Sequence, residues 1–201
     1  MTSEDKTTEK STRWFTERSL EQRKDYAQRF VRIAAEGNDI DGEARLIDAM
    51  ATPGSRILDA GCGAGRITNA LTLRGHEVIG VDADPLLIEA GREQHPDADL
   101  RVLDLVDLSE DLGTFDLIVC TGNVMAFVEP GSEAGILQAM SRILAPNGRA
   151  VFGFHIDRAY PLADLDQHGV AAGWQLEHRF GTWNLDPFTD ESDWAVSVFR
   201  G

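Results

Sequence analysis

Lysine is scarce and confined to one end of the chain: Lys6, Lys10 and Lys24 all precede residue 25. The remainder has no amine for a Schiff base and no lysine for a phosphate-binding loop. Cysteine is scarcer still. Cys62 and Cys120 are too few for a disulfide framework and lack metal-type spacing, so no metal site is expected. Both read as small buried thiols. Basic charge is in deficit, with 19 Lys and Arg against 34 Asp and Glu, a formal net charge of −15. Residues 1–50 hold 11 acids and 9 bases, whereas residues 51–201 hold 23 and 10. An acidic body of this kind repels phosphate backbones and anionic lipid, which argues against nucleic-acid and membrane partners. Long apolar runs are missing too. The longest uncharged apolar-rich stretch, Leu117–Val128, is short of the ~20 residues a membrane span needs. The opening MTSEDKTTEKST is polar and has no signal-peptide core, so a cytoplasmic location is expected.

What is present is an ordinary globular composition, 42% hydrophobic and 26% charged over 201 residues, enough for one domain. Residues 1–12 read as a flexible tail, 13–52 as a helical cover and 53–201 as the core of a single domain. In the cover, apolar residues at helical spacing predict a helix over 13–35 and a second over 43–51. After Ser55, short apolar runs alternate with helical patterns. Strands are expected at 56–60, 76–81, 99–103, 115–120 and 149–154, with helices at 66–73, 84–94, 132–144 and 162–172. That alternation predicts a Rossmann-like α/β fold, a mostly parallel sheet with helices on both faces. The last two strands, 174–180 and 194–200, have no clear helix between them and read as an antiparallel edge pair.

Chemistry concentrates at strand ends. The run Asp59-Ala60-Gly61-Cys62-Gly63-Ala64-Gly65 joins the first core strand to a helix, where glycines let backbone approach a ligand closely. Asp82 ends the next strand, where a carboxylate can accept from a ribose diol, and Asp104 follows the third, placed to accept from an adenine amine. His155, just after the 149–154 strand, is the candidate general base. Tyr26 on the first helix is a candidate to roof a substrate. Arg45 reads as a surface salt bridge with Asp48 or Asp41, and Trp183 and Phe188 flank a loop that could border a pocket.

On ILDAGCGAG (57–65), VIGVDAD (78–84), the Leu103-Asp104-Leu105 acid, FDLIVCTGNVMAFV (115–128) and LAPNGRAVFGF (144–154), the chain resembles the class I S-adenosylmethionine-dependent methyltransferases over roughly residues 40–200. The resemblance implies a seven-stranded sheet of order 3-2-1-4-5-7-6 with an antiparallel last strand. It implies S-adenosylmethionine as cofactor and S-adenosylhomocysteine as product. By position, Gly61, Gly63 and Gly65 would pass the methionine part, and Asp59 would support their loop and meet the amino group. Asp82 with Ala83 would hold the ribose, Asp104 and Leu105 would frame the adenine, and Gly122 and Asn123 would lie near the transferred methyl. The fourth-strand motif lacks the Asn-Pro-Pro-aromatic and Asp-Pro-Pro-aromatic forms, which argues against adenine or glutamine-amide acceptors. The expectation is methyl transfer to a small molecule by a monomer or homodimer. The alternatives are a cofactor-binding protein without transfer activity and an NAD-dependent oxidoreductase. The latter is disfavoured by Arg66 where a small residue is needed, and by Asp59 beside a would-be pyrophosphate.

Overall fold

The computed structural model describes residues 12–201. The expected tail therefore lies outside the described residues except for Thr12, whose side chain is buried rather than free in solvent. The elements are α1 (Arg13–Glu17), α2 (Leu20–Ala35), α3 (Gly42–Met50), β1 (Arg56–Ala60), α4 (Arg66–Leu73), β2 (Glu77–Asp82), α5 (Pro85–Gln94) and β3 (Asp99–Val102). They continue with β4 (Phe115–Cys120), α6 (Val124–Phe127), α7 (Glu133–Ile143), β5 (Leu144–His155), α8 (Leu162–Ala171), β6 (Gln175–Phe180) and β7 (Trp194–Arg200). The seven strands form one sheet of order β3-β2-β1-β4-β5-β7-β6. Parallel pairing runs from β3 to β5, and β7 is antiparallel to both its neighbours.

Alternation along the strands divides the core. Leu58, Ala60, Ile118, Phe152 and Phe154 pack with α7 and α8 on one face. Ile57, Leu117, Val119 and Val151 pack with Ile47 of α3 and Leu71 of α4 on the other. Both faces are therefore covered, which is why the central strands are apolar at nearly every position.

Three local expectations are corrected. The single helix over 13–35 is two helices. Ser19 accepts from the Gln22 amide N–H at 3.2 Å while Gln22 accepts from the Ser19 N–H at 2.8 Å, a capping box that starts α2 afresh. The strand expected at 149–154 begins five residues earlier, so Pro146-Asn147-Gly148 lies inside β5 rather than between helix and strand. The strand begins at Leu144 opposite Phe115, and the register to β4 shifts before Leu117 pairs with Arg149. Asn147 at φ +63° takes up that irregularity. His76 lies just before β2, buried with Nε2 3.0 Å from Asp48 Oδ1. Among the described residues no helix is long and apolar enough to cross a membrane.

Candidate functional site

The carboxyl ends of β1, β2, β4 and β5 open on one cavity of about 840 Å³, with β3 leading to it through Asp104. Its floor begins at the glycine loop after β1. The amides of Gly61 and Cys62 both donate to the Val81 carbonyl, at 2.8 and 2.9 Å, pinning the loop to the end of β2. Gly61 has φ +81°, and a Cβ there would lie 2.4 Å from a Val124 methyl, so only glycine fits. Gly65, at φ +78°, is the N-cap of α4 and has the Leu100 side chain against it.

Asp82 faces this cavity at the end of β2. Its Oδ2 accepts from the Gly63 amide and its Oδ1 from the Asp84 amide, each at 2.9 Å. A carboxylate can accept about four bonds, so lone pairs remain for a ligand. Burial pushes its pKa up to about 6, against the pull of those two amides. Asp104, whose Oδ1 caps a 3-10 turn by accepting from Val106 at 3.1 Å, lines the same cavity beside Leu105 and Ala83. Gly122 and Asn123 follow β4. Asn123 adopts φ +71°, and its Oδ1 accepts from the His155 backbone amide at 2.7 Å, joining the ends of β4 and β5. The His155 ring lies with Nδ1 3.2 Å from the Asp193 carbonyl and its edge against Trp194. A carbonyl only accepts, so Nδ1 is the donor in this contact.

The roof comes from the cover. Trp14 meets Tyr26 and Phe127 edge-on, with centroids 5.2 and 5.7 Å apart, and Tyr26 meets Phe30. Burial, and then the charge of Asp82, raise the Tyr26 pKa. Arg66 stacks over Phe30 at 4.2 Å and pairs with Glu43 through both terminal nitrogens.

The structure thus brings Tyr26, Gly61, Gly63, Asp82, Ala83, Asp104, Leu105, Gly122, Asn123 and His155 to one cavity. It does not bring Asp59 and Gly65 there. Asp59 sits behind the loop, 1% exposed, with Oδ2 accepting from Thr68 at 2.7 Å and Oδ1 without a partner. Burial pushes it up to about 6 as well. Trp183 packs on Gly153 in the α3–α4 face of the core rather than bordering the cavity, and Arg45 pairs with Asp39, not with Asp41 or Asp48. Arg66 does not crowd the contact between α4 and the strands. It points away, toward Glu43 and the Ile40 carbonyl.

Two features escaped the sequence reading. Asp84, the first residue of the helix expected at 84–94 and the N-cap of α5, also receives the Trp14 indole N–H at 2.8 Å and Arg23 at 2.9 Å. Trp194 lines the cavity beside His155. Among the described residues no group of three or more His, Cys, Asp and Glu could hold a metal ion.

This geometry agrees with the comparisons to known proteins. A TehB-like SAM-dependent methyltransferase from Corynebacterium glutamicum is 44% identical, covers 90% of this chain and 98% of its own, and superposes with a TM-score of 0.85. The chain belongs to the S-adenosylmethionine-dependent methyltransferases. The family model described as a methyltransferase domain matches residues 57–148 of this methyltransferase, from β1 to the bulge of β5. A methyltransferase from Clostridium acetobutylicum, 12% identical over 88% of this chain and 98% of its own, shares the fold with a TM-score of 0.73. The ubiquinone biosynthesis O-methyltransferase of Xanthomonas campestris is 29% identical over 137 residues, 60% of this chain and 56% of that protein. The chain spans about half the length of the curated relatives it matches.

Proposed function

We propose that this methyltransferase moves the methyl group of S-adenosylmethionine to a small-molecule acceptor and releases S-adenosylhomocysteine. Asp82 carries the reading. It is a cavity-facing carboxylate at a strand end, tied to the glycine loop through the Gly63 amide and still able to accept two further hydrogen bonds. That pair of free acceptor positions suits the two hydroxyl donors of a vicinal diol. The group fits on two further counts: the backbone at Gly122 faces open cavity, with nothing within 4 Å of where a Cβ would stand, and the strand-end acids Asp82 and Asp104 suit a cationic ligand rather than a pyrophosphate.

S-adenosylmethionine supplies a methyl carbon made electrophilic by its sulfonium. The chain's own residues do the rest. Asp82 and Ala83 hold the ribose, and Asp104 and Leu105 frame the adenine. Gly61, Gly63, Gly122 and Asn123 bound the methionine end, while Asp59 and Gly65 act from behind by fixing the loop and the start of α4. The aromatic roof excludes water, and alignment of acceptor and methyl carbon at about 3–3.5 Å is the main source of rate. His155, with its proton held on Nδ1 by Asp193, offers Nε2 to take a proton from an acceptor that arrives protonated. Tyr26 positions the acceptor from the roof.

A cavity of about 840 Å³ lies within the ~300–1,000 Å³ typical of small-molecule sites, and the acidic body supports a small acceptor over nucleic acid or lipid. A cytoplasmic monomer or homodimer is the setting that fits this composition. The test is a calorimetric titration of S-adenosylhomocysteine into wild type and Asp82→Ala. Binding by wild type that falls at least tenfold in the variant is expected; equal affinity overturns the ribose assignment.

A further inference from the structure

Asp84 is overqualified for a helix cap. Its Oδ1 accepts from the Leu86 amide at 3.0 Å, a task serine performs equally well. The second oxygen does something else. Oδ2 receives both the Trp14 indole and the Arg23 guanidinium, one donor from α1 and one from α2. The Asp84 side chain is 0% exposed and that of Arg23 18%. Among the described residues Arg23 Nε is buried without a hydrogen-bond partner, and the contacts of that guanidinium are Asp84 and the Phe15 ring. Opening the cover therefore strips a buried carboxylate of both long-range donors at once, which favours two discrete states over gradual loosening. The same residue reaches the site from the other side, because its backbone amide donates to Asp82 Oδ1 at 2.9 Å.

We propose that Asp84 is a positioning residue that latches the α1–α2 cover over the cavity and couples its closure to occupancy at Asp82. The proposal rests on the functional reading above only for the identity of the occupant. A ligand that orders Asp82 orders the Asp84 amide, and with it the acceptor for Trp14, whose ring edge roofs the cavity against Tyr26 and Phe127. Conversely, a cover that spends time open lowers apparent affinity by the fraction of closed molecules.

Asp84→Ser keeps the cap and deletes the latch. The full-length chain is digested with limiting trypsin, with and without S-adenosylhomocysteine, and cleavage at Arg18, Arg23, Lys24 and Arg29 is followed by mass spectrometry. The variant is expected to be cut in this segment about tenfold faster than wild type without ligand, with unchanged far-UV circular dichroism. Its affinity for S-adenosylhomocysteine is expected to drop by a similar factor. Trp14→Phe keeps the ring and loses the donor, so it should move both readouts the same way, and the double variant should be no worse than Asp84→Ser. Cleavage and affinity within twofold of wild type, or fully additive effects, overturn the latch. If Asp84→Ser does not fold, Trp14→Phe and Arg23→Gln are judged by the same criteria. Failure of wild type to bind S-adenosylhomocysteine sinks the functional reading and the coupling with it, while the ligand-free digestion still decides the latch.

Discussion

Asp82 makes ligand-free stability and ligand affinity move in opposite directions with pH. Its carboxyl titrates at about 6 in the folded chain against an ordinary 3.8, because burial disfavours the charge. Between those values the native state holds a proton that the unfolded chain has released. The contribution to stability is therefore fully present below pH 3.8 and is lost as pH rises through about 6. At 1.36 kcal/mol per pH unit the gap sets a ceiling of ~3 kcal/mol, reduced by the partial access of cavity water to the carboxylate. Asp82→Asn removes the titration. Subtracting its stability curve from that of wild type cancels the other ionisations, including Glu177, which Arg149 and Arg200 hold down at about 2. The difference should fall by ~1–3 kcal/mol between pH 4 and pH 7, equivalent to about 3–10 °C in melting temperature for a chain of this size. Asp59 titrates in the same range and the two acids repel, so the pair will not release its protons as independent sites.

A ribose that donates to Asp82 requires the ionised form. Affinity for S-adenosylhomocysteine should therefore rise about tenfold per pH unit up to pH 6 and level off near pH 7. Calorimetry at pH 6 in buffers of different ionisation heat should report proton release on binding. Parallel stability curves for wild type and Asp82→Asn, or proton uptake on binding, would refute the reasoning.

Gly61→Ala should lower stability by ~2–4 kcal/mol in chemical denaturation and abolish detectable S-adenosylhomocysteine binding. Its Cβ would sit 2.4 Å from a Val124 methyl at a backbone angle alanine resists; near-wild-type stability and binding would count against the loop assignment. His155→Ala should cut kcat with a protonated acceptor by ~10²–10⁴-fold and leave S-adenosylhomocysteine affinity within about twofold; an unchanged kcat removes the base.

Much of the fold was legible because its signals are local. Each parallel strand is an apolar run that ends in a turn signal, and the strand-end positions of Asp82 and Asp104 follow from counting along those runs. The glycine loop is equally local, since the positive φ at Gly61 belongs to the residue itself. Of two misreadings, one had a local remedy and the other did not. The Ser19…Gln22 capping box was present in the sequence but lost to the stronger helical periodicity around it. Pro146-Asn147-Gly148 has the chemistry of a helix stop and of a strand irregularity alike, and only pairing with β4 decides between them. Asp84 is different in kind. Its capping role reads from Pro85, but its partners lie 70 and 61 residues away and nothing local to any of the three announces the contact. Asp59 shows the same limit. Its position two residues before Gly61 suggested a ligand contact, whereas the pleat turns it toward Thr68, behind the loop.

The wide spacing of the cover's partners along the chain bears on the order of events at the ribosome. Trp14 meets Asp84 across 70 residues, and Arg13 meets Glu133 across 120. At translation speeds of about 5–20 residues per second, the aromatic underside of α1 and α2 emerges ~4–14 s before Asp84 and ~6–24 s before Glu133. During that interval Trp14, Tyr26 and Phe30 have nothing native to cover. The arginines interspersed among them, Arg13, Arg18, Arg23 and Arg29, keep the nascent segment hydrated until the sheet arrives beneath it.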